Sequence, residues 1–143
     1  MNPRSKRALL QFFGLAVVVG TAAVIYFLYS FESWLSGYDI DDATAINITL
    51  KWGRLAPLPP STQDLSVKVE GSPFTRGFRV SFVAPPADIE RWLQSSPGTS
   101  EAKLTTPSAG IRHYDISPGG GAQYAEVTFD ADTNRVSIYS FWS

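Results

Sequence analysis

The chain contains no cysteine and a single histidine among its 143 residues. Without cysteine there can be no disulfide, no thiolate nucleophile, no thiolate-held zinc or iron–sulfur cluster, and no lipid attached at a cysteine. The lone histidine, His113, excludes a metal site built from several histidines of one chain. Composition therefore excludes disulfides and metal sites built from cysteine or from several histidines.

Positive charge is scarce after the first few residues. Arg4, Lys6 and Arg7 are three of the twelve Lys and Arg residues, which leaves nine cationic side chains against thirteen Asp and Glu in the remainder. Binding to a phosphate backbone requires a basic surface. We therefore expect no nucleic-acid partner.

Motifs with a specific chemistry are also missing. The glycine run Gly119–Gly121 lacks the Gly-Lys-Ser/Thr and the helix of a phosphate-binding loop. Asp130–Asn134 begins like a calcium loop, but Arg135 and Phe141 stand where that loop requires Gly and Glu. Its side chains instead favour the turn of a C-terminal hairpin. These patterns predict no catalytic, cofactor-binding or metal residues, and they favour a binding protein over an enzyme.

What the chain does have is one long apolar run. No charged residue interrupts Ala8–Phe31 between Arg7 and Glu32. About 20 apolar residues suffice for a helix to cross the hydrocarbon core of a bilayer. The run predicts a transmembrane helix over 8–31, with the lipid bilayer as a partner of the chain.

Flanking charge predicts how this helix is oriented. The positive residues precede the run and acidic residues follow it, which favours a cytoplasmic tail over 1–7 and a C-terminal part outside the plasma or inner membrane. Tyr26, Tyr29 and Trp34 fit an aromatic belt at the outer interface. The alternative is a signal peptide cleaved near Gly20–Ala22, which would release a secreted soluble domain.

Residues 32–64 are expected to connect the membrane to the domain. An alternation of apolar Ile46, Ile48 and Leu50 with polar residues predicts a strand over 45–51. Asn47 begins an Asn-Ile-Thr glycosylation acceptor pattern, but a three-residue pattern of this kind often occurs by chance. Three prolines after Trp52 predict a stiff extended spacer that ends at residue 64.

The predicted soluble domain occupies residues 65–143. Alternating patterns predict strands over 65–70, 78–83, 111–116, 124–129 and 135–141. Between the second and third strands, Ile89, Trp92 and Leu93 form a helical stripe that begins at Pro85-Pro86. The region 99–109 is expected to be a polar loop. The order β-β-α-β-β-β predicts an α+β fold, a mainly antiparallel sheet with one packed helix.

Alternation also assigns residues to the sheet face away from the helix. Arginine and tyrosine are enriched where proteins bind one another. The alternative is that an open antiparallel face of this kind is simply solvated. The candidate interaction surface comprises Arg79, Ser81, Glu126, Thr128, Ser137 and Tyr139.

Two functional hypotheses follow for the anchored protein. In the first, the extracytoplasmic domain acts through contacts with a protein partner on this face. In the second, it is a ligand-binding or enzyme accessory domain with a cleft near His113 and Gly119–Gly121.

Overall fold

The computed structural model describes residues 19–28, 30, 40–72 and 74–143. The chain divides into two compact units, Met1–Asp39 and Ile40–Ser143. In the first unit residues 19–28 are helical. Within the described ranges, no helix is both long and apolar enough to cross a membrane. Most of the predicted transmembrane helix (8–18, 29 and 31) and the predicted tail over 1–7 lie outside the described residues, so both stay predictions.

The second unit combines three helices with six strands, numbered here in chain order. They are α1 (Asp42–Trp52), β1 (Gln63–Ser72), β2 (Thr75–Val83), α2 (Pro86–Ser95), α3 (Pro97–Ser100), β3 (Lys103–Ser108), β4 (Ile111–Ile116), β5 (Tyr124–Asp130) and β6 (Arg135–Trp142). The strands form one sheet in the order β1-β2-β6-β5-β4-β3, and every neighbouring pair is antiparallel. The α+β class and the antiparallel sheet are therefore confirmed.

The core lies between the helices and one face of the sheet. Helix α2 buries Ile89, Trp92 and Leu93, as its stripe predicts. The Trp92 ring meets Phe82 of β2 edge-on, with centroids 5.5 Å apart. Because the helix has only ten residues, this packing rather than intrinsic propensity holds it in place.

The predicted strand over 45–51 is wrong, because the segment belongs to helix α1. Asp41 caps the helix by accepting hydrogen bonds from the backbone N–H (2.9 Å) and the hydroxyl (2.7 Å) of Thr44. Ala45 and Thr49, four residues apart, are fully buried. The apolar residues thus fit both the strand period and the helix period. The N-cap and the burial of one side of the segment favour the helix.

The segment expected to be an extended spacer is instead docked on the domain. Leu55, Ala56 and Leu58 pack against the core. Ala56 is held at both polar groups: its N–H donates to the Ser96 hydroxyl (3.0 Å), and its carbonyl accepts from the indole N–H of Trp92 (3.0 Å). The compact unit therefore begins at Ile40 and not near residue 65.

The region 99–109, expected to be a polar loop, contributes the end of α3 and the edge strand β3. Every residue of β3 is exposed, so the strand carries no alternating apolar signal. Only part of it follows the register of β4, because the pairing is irregular between Thr105 and Ser108. Backbone pairing with β4, which the side-chain pattern does not encode, makes it a strand.

The predicted hairpin at the C-terminus is confirmed. Its turn is closed by Asp130, whose carboxylate accepts from the N–H groups of Asp132 (2.9 Å) and Thr133 (3.4 Å) and from the Thr133 hydroxyl (2.8 Å). These bonds, the Thr133 hydroxyl first, lower the pKa of Asp130. The aspartates therefore stabilise a turn, which is the alternative to a calcium loop favoured by the sequence.

Candidate functional site: the open face of the sheet

The six residues of the candidate interaction surface lie on one face of the sheet, in two adjacent rows. Arg79, Tyr139 and Glu126 face one another across β2, β6 and β5. Ser81, Ser137 and Thr128 form the next row in the same order. Their neighbours along each strand, such as Val80, Ile138 and Val127, are fully buried on the helix side. Strand alternation therefore separates the two faces as the sequence indicates.

Strand β4 extends this face with residues that the candidate surface did not include. His113 lies opposite Thr128 and Asp115 lies opposite Glu126. Tyr124, at the start of β5, lies opposite Phe141 of β6. We call the surface formed by the following residues the open face: Arg79, Ser81, His113, Tyr124, Glu126, Thr128, Ser137 and Tyr139. Side-chain alternation along β4 could have placed His113 on one face of its strand. Whether that is the open face depends on the register between β4 and β5, which the fold sets.

The ring of Tyr139 lies beside Gly77 of β2, which is two residues before its cross-strand partner Arg79. A β-carbon at Gly77 would lie 3.4 Å from the Tyr139 hydroxyl oxygen. The guanidinium carbon of Arg79 is 4.7 Å from the centre of the same ring, a cation–π distance. Glu70 approaches Arg79 from β1, with 3.8 Å between carboxylate oxygen and guanidinium nitrogen. The aromatic ring and its charged neighbours thus hold one another in place.

A second cluster is centred on the carboxylate of Glu126. One oxygen, Oε2, accepts from the Tyr124 hydroxyl (2.6 Å) and lies 2.8 Å from Nε2 of His113. Because a carboxylate can only accept, Nε2 carries the proton. The other ring nitrogen, Nδ1, is 3.4 Å from the Thr105 hydroxyl. The rings of Tyr124 and Tyr139 are 6.1 Å apart, so the two clusters adjoin.

These contacts fix the ionisation of the cluster. Burial alone would raise the pKa of Glu126, but hydrogen bonds from Tyr124 and His113 and the nearby positive charges outweigh it and leave the pKa below its ordinary value. The hydrogen bond to Glu126, with burial, raises the pKa of Tyr124 to about 12. At neutral pH the face therefore presents an ionised carboxylate and a neutral phenol.

The arrangement is suited to binding more than to proton transfer. Both ring nitrogens of His113 are engaged, one by Glu126 and one by Thr105. A general base needs a nitrogen within reach of the proton that it abstracts. The cluster instead offers flat aromatic surface with fixed donors and acceptors, the features by which proteins recognise one another.

The two halves of the predicted cleft do not meet. His113 lies on the open face, whereas the glycine loop packs on the C-terminal end of α1. The N–H of Gly119 donates to the carbonyl of Trp52 (2.8 Å). The ring of Trp52 contacts Phe78, a core residue of β2, at a centroid distance of 5.3 Å. The loop thus lies on the helix side of the sheet, away from His113.

Two grooves lie on the helix side. One, of about 480 Å³, runs between the proline segment and α2. Its wall is fixed by the Ser61 hydroxyl, which donates to Asp88 (2.6 Å). The other, of about 340 Å³, lies beside the ion pair of Glu90 and Arg112. The Arg112 guanidinium carbon is 4.7 Å from the Phe129 ring centre, so this pair ties α2 to the sheet.

In the part of the chain that the structure describes, no three Asp, Glu or His residues form a group able to hold a metal ion. Comparison with protein-family models gives no match, and neither do comparisons with curated proteins and with solved structures.

Proposed function

We propose that this chain is a single-pass membrane protein whose α+β domain binds a protein partner through the open face, on the extracytoplasmic side. The proposal has two parts, an anchor and a binding surface, and each rests on different residues. The apolar run over 8–31 supports the anchor, and the side chains around Tyr139 support the binding surface.

The anchor is supported by composition and by the described part of the run. Residues 19–28 are helical, and the large apolar side chains among them, from Val19 to Leu28, are between 57% and 74% exposed. Apolar surface of this extent is unfavourable in water, at about 25 cal/mol per Å². A bilayer would remove that cost. The charges on either side of the run favour a cytoplasmic N-terminus.

The binding surface is supported by one observation above the others: the Arg79 guanidinium is stacked on the Tyr139 ring. Ordering a flexible side chain on binding costs about 0.5–1.5 kcal/mol. The Tyr139 ring contacts Gly77 and the Arg79 guanidinium lies over that ring, so both side chains are spared part of this cost. Tyrosine and arginine are also the residues most often found at the centre of protein interfaces.

The proposal is tested by paired substitutions in the full-length chain. Arg79→Glu combined with Tyr139→Ala removes the stacked pair, and Arg91→Glu reverses a charge on the exposed side of α2 as the matched control. Each variant is isolated from native membranes after cross-linking. We expect a stoichiometric partner with the unaltered chain and the control, and its loss with the double variant.

Equal recovery of that partner with the double variant would contradict the proposal. His113→Ala separates the binding hypothesis from the accessory-enzyme hypothesis. If only this variant abolished the host phenotype while the double variant kept it, the protein-contact hypothesis would be wrong. The mass of the mature chain tests the anchor, because cleavage near Gly20–Ala22 would remove most of the apolar run.

A further inference from the structure

Strand β1 is an unusually long free edge. It lies at one end of the sheet order, it pairs only with β2 among the residues that the structure describes, and it has ten residues. Its outer side presents unpaired backbone donors and acceptors to any strand that approaches. Apolar side chains add to this edge, since Leu65 is 46% and Val69 39% exposed.

The part of β1 that can accept another strand is well defined. The pairing with β2 is irregular between Gln63 and Ser66, and Asp64 has a positive φ of 47°. A bulge of this kind ends regular strand pairing. From Ser66 to Ser72 the register is continuous. Val69 is the central residue of this regular stretch.

A second copy of the chain would complement this stretch in one register. When two identical edges meet about a twofold axis, directly opposite residues share a face of the sheet. With the axis at Val69, Lys68 lies opposite Glu70 of the second copy, and Ser66 lies opposite its Ser72. An axis at Lys68 would place two ammonium groups opposite each other. An axis at Val67 would pair Asp64 with Glu70 and reach into the bulge.

The charge environment of Lys68 favours the first of these registers. Within one chain its cross-strand neighbour on β2 is Arg79, a like charge. Among the described residues Lys68 has no ion pair, whereas Glu70 is paired with Arg79 only at 3.8 Å. Like charges directly opposite on a sheet are unfavourable and opposite charges favourable. A second copy centred on Val69 supplies two carboxylates, one to each Lys68.

We propose that β1 pairs antiparallel with β1 of a second copy, with Val69 opposite Val69, so that two six-stranded sheets form one continuous sheet. The axis is perpendicular to the sheet, so both open faces lie on the same side of it. The dimer presents two copies of the Arg79–Tyr139 pair side by side. The proposal goes beyond the proposed function and does not depend on it, because no third protein is needed for the pairing.

The absence of cysteine makes the pairing directly testable. Opposite α-carbons in an antiparallel pair are about 4.5–5.5 Å apart, within the range that a disulfide spans. We expect Val69→Cys in the full-length chain, in detergent under mild oxidation, to form a covalent dimer. Leu104→Cys, 51% exposed on the other edge strand, is the matched control. A dimer that forms no faster at position 69 than at position 104 would overturn the proposal.

The register has its own test. Residue 66 would lie opposite residue 72 of the second copy, and about 20 Å from its own equivalent at roughly 3.4 Å per residue. A mixture of Ser66→Cys and Ser72→Cys chains should cross-link, and neither chain should cross-link alone. Cross-linking of either variant with itself would contradict the register.

Charge reversal tests the ion pairs. On the Val69→Cys background, Lys68→Glu places like charges across the axis and should slow cross-linking severalfold. The double exchange Lys68→Glu with Glu70→Lys restores opposite charges and should recover the rate. If the single and double variants cross-linked at the same rate, the proposed pairing of Lys68 with Glu70 would be wrong.

Discussion

Gly98 of α3 packs against the turn after α1, so a substitution at Gly98 should disturb the docking of the N-terminal part of the domain. A β-carbon built on Gly98 overlaps the carbonyl oxygen of Gly53, and it lies 3.1 Å from the carbonyl carbon of Gly53 and 3.3 Å from the carbonyl oxygen of Arg54. The neighbouring atoms are backbone, so no side-chain rotation relieves the overlap. The turn after α1 must move away from α3.

The cost of Gly98→Ala follows from what that movement breaks. The N–H of Gly98 donates to the carbonyl of Arg54 at 2.9 Å, a bond worth about 0.5–1.5 kcal/mol. Overpacking a tight contact adds about 1–3 kcal/mol. We expect a loss of about 2–4 kcal/mol in the free energy of unfolding. At about 4 °C or more per kcal/mol for a domain of this size, the melting temperature falls by at least about 8 °C.

Gly119→Ala is the matched control. Its β-carbon would meet the side chain of Arg54 at 3.1 Å, and that side chain can move, so we expect a change within about 1 kcal/mol. Both variants are unfolded by heat and by urea as full-length chains, with tryptophan fluorescence as the signal. Equal stabilities for the two variants would refute the docking of α1 and the proline segment on α3.

Two further predictions concern the ionisation of the open face. Because the pKa of Glu126 is lowered, its ionised form stabilises the fold above the ordinary carboxyl pKa, and this contribution is lost as the pH falls through the lowered value. Glu126→Gln should therefore be less stable at about pH 7 and lose less stability on acidification. If the free energy of unfolding in urea changed with pH in the same way for both proteins, this prediction would be wrong. The pKa of Tyr124 is raised to about 12, so its neutral form contributes stability that is complete below the ordinary tyrosine pKa and is lost as the pH rises through about 12. Tyr124→Phe should remove the step at highest pH from the tyrosinate absorbance titration. An unchanged titration would contradict the raised pKa of Tyr124.

The sequence predicted those parts of the fold that its local patterns determine. The apolar residues of β2, Phe78, Val80 and Phe82, fit only the strand period. Those of α2, Ile89 and Trp92, fit only the helix period. The structure confirms both elements. Their burial follows directly from the spacing of apolar residues.

The errors arose where tertiary contacts decide between local alternatives. Ile46 and Leu50 fit a strand by alternation, but they are also four residues apart, and packing against the core selects the helix. The prolines indicated a segment without regular helix or strand, and residues 53–62 form no helix or strand. That it lies against α2 depends on the two hydrogen bonds of Ala56 to Ser96 and Trp92, which join residues about 40 positions apart and leave no local pattern.

Only part of the open face was predicted, because the rest of it depends on contacts between distant residues. Alternation alone assigned Arg79 and Tyr139 to one side of the sheet. The inclusion of His113 and Tyr124 required the register between β4, β5 and β6, because only the register shows that both approach the same oxygen of Glu126.

Photo-cross-linking from within the open face shows whether that face binds a protein partner. A photoreactive amino acid at Ser137, which lies between Ser81 and Thr128, is compared with the same amino acid at Gln94, exposed on α2. We expect irradiation of native membranes to give a discrete cross-linked protein from position 137 and none from position 94. No cross-linked protein from position 137, or the same one from both positions, would contradict it.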